Sequence, residues 1–219
     1  MARIMAIMGE SGSGKTTSLR TLNPDTTCII DCDKKGLSWR GWKKQYNSER
    51  KNYVACDDAA MVQASMLKIA EKRPEVSVIV IDTIGSLMVA DEMRRSKEKG
   101  YDKWLDLAVC IWNLIDAACP LRDDLTVVFM AHVQTERDDS GFVFSRIKTS
   151  GRKLDKIVLE SKFPIVLYAK NIDGEFVFET HAHQSTAKSP LGLFDEETIP
   201  NDLKSVIEAL DAYENSEEE

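Results

Sequence analysis

The chain has 219 residues, 43% hydrophobic and 30% charged, with a formal net charge of −7 at pH 7. That length and apolar fraction suit one large α/β domain with a sizeable core, while the acidic balance argues against a protein that coats nucleic acid constitutively. No run of about 18 apolar residues offers a membrane span. The N-terminus enters a strand with no signal-peptide pattern, and Cys28, Cys32, Cys56, Cys110 and Cys119 form no C-x-x-C, so a cytoplasmic location is expected.

In chain order, Arg3–Met8 is an apolar run of strand length. Residues 9–16, Gly-Glu-Ser-Gly-Ser-Gly-Lys-Thr, follow it and fit G-x-x-x-x-G-K-[ST], a phosphate-binding loop. Gly9, Gly12 and Gly14 admit backbone conformations closed to other residues. The loop's N–H groups can then converge on a β-phosphate, at the positive end of a helix expected over Thr16–Leu22. Lys15 is expected to reach the β- and γ-phosphates, and the Thr16 hydroxyl to contact Mg²⁺. The candidate nucleotide-binding residues are Gly9, Glu10, Ser11, Gly12, Ser13, Gly14, Lys15, Thr16 and Thr17.

After the turn Asn23-Pro24-Asp25, a strand is predicted over Thr27–Asp31, then a helix over Asp58–Lys72 stopped by Pro74. Val76–Asp82 is apolar enough for a central strand. At its end Asp82 can hold a Mg²⁺-bound water beside Thr16, the alternative being a cap for the next helix. If the first strand and Val76–Asp82 flank the nucleotide, the end of the Thr27–Asp31 strand lies near the γ-phosphate. Asp33 is then the candidate base for water, with Asp31 as alternate, against a plain pairing of Asp33 with Lys34 or Lys35.

Helices over Gly85–Lys97 and Asp102–Ala118 are separated by Gly100, and a strand follows over Thr126–Ala131. At its tip His132 or Gln134 can sense the γ-phosphate and pass its state to a hairpin turning near Asp138–Gly141. Arg152–Ser161 is a short amphipathic helix, and Pro164–Ala169 and Glu175–Thr180 are antiparallel strands joined through Asp173-Gly174. A last helix covers Leu203–Tyr213. Without repeats or a long linker, residues 1–213 are expected to form one domain, followed by an acidic, disordered tail over 214–219. Cations and aromatics interleave in Arg137, Phe142, Phe144, Arg146, Lys148, Arg152 and Lys153, the composition of a single-strand DNA surface. Trp39 and Trp42 lie in a second basic stretch, but their spacing favours one face packed on a core.

Val78–Leu87 (VIVIDTIGSL) resembles the Walker B segment of RecA-type recombinases, where a small hydroxyl residue follows the Asp. Ile30-Asp31-Cys32-Asp33 resembles their strand-two motif, with Asp33 at the catalytic Glu, one methylene shorter. Ala131-His132 resembles their phosphate-sensing strand tip. Ser185–Pro190 resembles the region that places lysines on a neighbouring subunit's nucleotide, which makes Lys188 a candidate trans-acting cation. The phosphate loop with Thr17-Ser18-Leu19-Arg20, Tyr101–Trp104, Ala131-His132 and Ala187–Pro190 together resemble small phage-encoded RecA-like P-loop ATPases, an AAA-type ATP-binding family that includes single-strand annealing proteins. The resemblance spans residues 2–195. It implies an α/β RecA-like core with a mainly parallel sheet, helices on both faces and antiparallel strands near the C-terminal end. It further implies an ATPase using ATP and Mg²⁺ with single-stranded DNA, in recombination or strand annealing in a host cytoplasm. A homo-oligomeric ring or filament and a single-strand DNA-binding protein are the implied partners.

Two other functions compete. Asp82-Thr83-Ile84-Gly85 matches the D-x-x-G of a GTPase-like switch, but no N-K-x-D follows, since Lys170-Asn171-Ile172-Asp173 has the letters in another order. A small-molecule kinase needs an arginine lid, for which Arg94-Arg95 is the candidate.

Overall fold

A computed structural model describes residues 1–98, 102–149 and 158–215. Nine strands form one mixed sheet. They are β1 (Arg3–Gly9), β2 (Thr27–Asp31), β3 (Tyr53–Ala55), β4 (Val78–Asp82), β5 (Thr126–Arg137), β6 (Val143–Ile147), β7 (Ile165–Ile172), β8 (Glu175–Glu179) and β9 (Thr198–Pro200). The helices are α1 (Trp42–Gln45), α2 (Ala59–Lys72), α3 (Ile84–Arg94), α4 (Asp102–Ala118) and α5 (Leu203–Asn215).

The strand order is β3-β2-β4-β5-β1-β7-β8-β9, with β6 paired to the outer half of β5. Strands β1 to β5 and β7 run parallel, whereas β6, β8 and β9 are antiparallel additions. The register decides where the site lies. Because β5 is inserted between β1 and β4, Gly9 sits opposite His132 and Asp82 opposite Met130. The first strand and the Asp82 strand are thus not neighbours in the sheet, yet their ends meet at the loop, where Thr16 donates to Asp82 at 2.6 Å.

Strand alternation feeds two cores, one on each face of the sheet. Ala6, Met8, Ile79 and Ile81 face α2, α3 and α4, where Met66, Leu87 and Leu114 meet them. Met5, Ile7 and Val80 face the other way, onto Leu19, Tyr46 and the α5 side chains Leu203, Val206 and Leu210. Each such buried aliphatic contributes about 1.5–3 kcal/mol over leaving it in water.

The predicted elements recur with three kinds of difference. The segment after the phosphate loop is a 3₁₀ helix over Thr16–Thr21 rather than an α-helix. Pro24 disfavours helical backbone at Asn23, so the segment has no room to extend. Fewer aligned peptide dipoles therefore stand behind the loop than an α-helix would supply. The strand predicted to stop at Ala131 continues to Arg137, since its second half pairs with β6 across the Asp138–Gly141 turn. The short β3, β9 and α1 carry too few residues for a visible period. Of the predicted Arg152–Ser161 helix, residues 158–161 are described and enter a 3₁₀ helix over Leu159–Lys162; residues 152–157 lie outside the described chain, as do Gly100, Tyr101 and residues 216–219. Trp39 and Trp42 are half-buried against the α5-side core, edge-on or tilted to Tyr46 and Tyr53.

Candidate nucleotide site

The loop between β1 and the 3₁₀ helix is shaped by glycines. Gly12 and Gly14 hold φ of +80° and +93°, backbone that disfavours a side chain. Gly9 is fixed by space, since a Cβ there would lie 2.4 Å from Ser13 Oγ and 2.7 Å from the Ala169 carbonyl oxygen. Lys15 curls back over the loop and donates to the carbonyls of Gly9 and Glu10, each at 2.7 Å. Burial pushes its pKa down to about 8, against the pull of Asp82. An amine so placed is ready to exchange two carbonyl partners for phosphate oxygens.

Thr16 donates its hydroxyl to Asp82 Oδ2 at 2.6 Å. Asp82 is 2% exposed, and its other oxygen, Oδ1, is buried without a hydrogen-bond partner. Burial raises its pKa to about 6, while Thr16 and Lys35 pull the other way. A hard divalent cation fits these donors: a carboxylate with a spare buried oxygen beside a hydroxyl, at the mouth of a phosphate loop. Among the described residues no cluster of three or more His, Cys, Asp or Glu could hold a metal. A cation here would therefore complete its shell with phosphate and water oxygens, as Mg²⁺ does at nucleotide sites.

Two cavities adjoin at His132. One, of about 290 Å³, is lined by Gly12, Lys15, Thr16, Lys35 and Ser38; the other, of about 500 Å³, by Asp33, Ser86 and Lys148. Both include His132, which the β5 insertion puts between the loop and the end of β4. Burial lowers the His132 pKa, and the nearby Lys15 lowers it further, which favours the neutral ring.

Asp33 faces the larger cavity. One of its oxygens accepts from the hydroxyls of Thr83 (3.1 Å) and Ser86; the other takes the Lys35 amine. Burial alone would raise its pKa, but these three donors outweigh it and hold the carboxyl below its ordinary value. The plain pairing weighed from sequence is thus present with Lys35, whereas Lys34 pairs with Asp57 at 2.7 Å. Asp31 is corrected as the alternate base. It is 2% exposed and accepts from the Gly36 N–H at 2.8 Å and the Tyr53 hydroxyl at 2.6 Å, which pins the loop carrying Asp33 and Lys35.

The remaining expected residues divide. Gln134 is spent on the hairpin, donating to Glu136 at 2.7 Å and accepting from the Thr149 N–H at 3.4 Å. The Lys188 backbone pairs with Val166, three residues along β7 from the Ala169 that faces Gly9, so it does not line the cavities of its own chain. On the hairpin Phe142 and Phe144 stack with centroids 6.4 Å apart, and Arg137 and Lys148 are exposed. Arg146, expected on that cationic surface, is instead 6% exposed and paired with Glu136 at 3.2 Å and Glu160 at 3.8 Å. Arg152 and Lys153 lie outside the described residues. Sequence reasoning placed Lys35 only as a partner of Asp33 and missed Ser38 and Ser86. The arginine lid of a kinase is also not formed, since Arg94 pairs with Asp57 at 2.5 Å and Arg95 with Glu98 and Asp106.

A mostly parallel sheet with a glycine-shaped loop after β1, a lysine over that loop, and a threonine bonded to an aspartate at the end of β4 define a P-loop nucleoside triphosphatase core. The family model AAA_24, an AAA domain, matches residues 1–191, and the chain belongs to this family of AAA-type P-loop ATPases. No curated protein matches the chain. Among the described residues no helix is long and apolar enough to cross a membrane.

Proposed function

We propose that this protein binds ATP with Mg²⁺ on the Gly9–Thr17 loop and hydrolyses it, and that single-stranded DNA on the β5–β6 hairpin sets the rate. The observation that carries the ATPase reading is the Thr16–Asp82 bond beside the buried Lys15, with Asp82 Oδ1 left open. Thr16 and Asp82 are the residues that would hold Mg²⁺, which when bound draws charge from the β- and γ-phosphates. Lys15 leaves the Gly9 and Glu10 carbonyls to pair with phosphate oxygens. Asp33 orients the attacking water by accepting a hydrogen bond; its depressed pKa suits it better to positioning water than to storing a proton.

Coupling to DNA is supported by continuity. His132 lines the phosphate cavity, and its carbonyl accepts from the Lys148 N–H at 2.8 Å, so a shift of its ring is felt at the hairpin base. The stacked Phe142 and Phe144 offer faces for bases, and Arg137 and Lys148 offer charge. On this reading residues 1–215 act as one ATP-binding unit, since α5 runs through Asn215 and Glu214 pairs with Arg3 at 3.7 Å, which moves the expected boundary at residue 213; Lys188 reaches a neighbouring subunit's nucleotide in a ring or filament. Phage-type recombination or strand annealing in a host cytoplasm, alongside a single-strand DNA-binding protein, is the role this combination would serve.

The test is the rate of ATP hydrolysis with Mg²⁺, with and without single-stranded DNA, for the intact chain and for Lys15→Ala. We expect DNA to stimulate the rate and Lys15→Ala to abolish it. Hydrolysis indifferent to DNA would leave the ATPase and remove the DNA role; activity retained in Lys15→Ala would remove the site itself.

A further inference from the structure

The phosphate loop has a second neighbour, on the opposite side of β1 from His132. There β8, β9 and the start of α5 close on Gly14 and Thr17 around a cleft of about 650 Å³. Thr17 lines both this cleft and the phosphate cavity, so the two adjoin at the end of the loop. The Phe176 ring lies against Gly14, where a Cβ would come within 2.8 Å of Cδ1, yet Phe176 remains 40% exposed on the cleft side.

Asn201 also lines the cleft and is 4% exposed, and neither its Oδ1 nor its Nδ2 has a hydrogen-bond partner. The backbone around it is firmly held. Its N–H donates to the Phe176 carbonyl at 3.3 Å, and its carbonyl accepts from Arg20 at 3.2 Å. Asp202, next in the chain, accepts through Oδ1 from the Thr21 hydroxyl and from the Lys204 and Ser205 N–H groups in the first turn of α5. Burying an amide with both ends unpaired is unfavourable, and a fold that fixes the backbone while leaving that amide buried and unpaired beside Gly14 points to a ligand that pairs with it.

We propose that this cleft takes the nucleobase of the nucleotide whose phosphates lie on Gly9–Thr17, with Phe176 against the face of the base and the Asn201 amide on its edge, and that this pairing selects adenine. The proposal rests on the ATP-binding reading above and adds the residues that recognise the base. An amide presents one donor and one acceptor side by side. The N7 and N6–H₂ of adenine answer both, whereas guanine offers N7 and O6, two acceptors, along the same edge. A buried polar pair left half-matched is what rejects the wrong ligand. The aromatic face supplies sequence-neutral stacking.

The experiment is calorimetric titration of the full chain with ATP, GTP and inorganic tripolyphosphate, each with Mg²⁺, for the wild type, Asn201→Ala and Phe176→Ala. Asn201→Asp, of the same shape but with no donor, replaces the alanine variant if that one fails to fold. We expect each variant to lose about tenfold or more in ATP affinity, to bind tripolyphosphate as the wild type does, and, at Asn201, to lose the preference for ATP over GTP. Wild-type ATP affinity and selectivity in the Asn201 variants would overturn the proposal, as would a wild type that prefers GTP. A wild type that binds tripolyphosphate as tightly as ATP would overturn the base site while leaving the phosphate loop in place. Binding of neither would overturn the loop reading and this inference with it.

Discussion

The Thr16 hydroxyl and the Asp82 carboxylate meet at 2.6 Å across the gap between β1 and β4, although 66 residues separate them in sequence. With one Asp82 oxygen bonded and the other buried and open, the pair is strained electrostatically: a carboxylate taken out of water with half its acceptors unused. Its pKa of about 6 records that tension. A functional cation would relieve it, and so, in a different way, would removing the charge.

Asp82→Asn is therefore expected to stabilise the nucleotide-free protein while removing its response to Mg²⁺. Between pH 3.8 and about 6 the folded wild type keeps a proton that the unfolded chain has lost, so its stability falls as pH rises through that window and stays low above it. The accumulated penalty is roughly 3 kcal/mol. Urea unfolding at pH 7 to 8 without nucleotide should show the variant more stable by up to about that amount, and ATP with Mg²⁺ should stabilise the wild type alone. A variant less stable than wild type at pH 8 would contradict this account.

Lys15 gives a second pH signature. At a pKa of about 8 the free amine is part-neutral near pH 8, and a triphosphate beside it restores the proton. Nucleotide binding at pH 8 should take up on the order of half a proton, seen as a heat that depends on the buffer's ionisation enthalpy. Affinity should weaken as pH rises through 8, because the neutral amine loses its charge-assisted bonds. A binding heat independent of buffer would rule this out.

How far the sequence carries these sites depends on whether the determinant is local. Gly12, Gly14, Lys15 and Thr16 sit within one octapeptide whose spacing follows from backbone geometry, and Val78–Ile81 announces a central strand by being apolar throughout, up to Asp82 at its end. The strand bounds Thr27–Asp31 and the helix Asp102–Ala118 are likewise legible from periodicity. The place of β5 between β1 and β4 is not, because strand order depends on pairings between distant segments. Ser86 and Lys35 converge on Asp33 only once α3 and the β2 loop are folded. Arg146 misled for the same reason: its alternation in β6 looks like that of an exposed cation until Glu160, fourteen residues on, is brought beneath it.

That burial separates two arginines of the hairpin. Arg146→Ala leaves Glu160, 3% exposed and also bonded to the Ile147 N–H, without its cation, and should cost about 3–5 kcal/mol in urea unfolding. Arg137→Ala, at an exposed position, should leave stability within about 0.5 kcal/mol. If DNA lies on the hairpin, it should instead lower single-strand affinity and reduce the salt dependence by about one phosphate contact. Equal stability of the two variants would show that the Glu136–Arg146–Glu160 cluster does not matter to the fold.

Asp33 offers the sharpest separation of binding from chemistry. A carboxylate has about four acceptor positions, and Thr83, Ser86 and Lys35 occupy three of them here. Asp33 also lines the cavity that His132 and Lys148 line, so the position left over is available to a water held there. Asp33→Asn keeps the shape but removes the charge and turns one oxygen into a donor, so the ion pair with Lys35 is lost and fewer acceptors remain to anchor the water. ATP affinity should stay within about threefold, since Asp33 is not on the phosphate loop, while single-turnover hydrolysis falls by about 10²–10⁴. An Asp33→Asn enzyme that hydrolyses at the wild-type rate would move the water-orienting role elsewhere, with His132 the next residue to test.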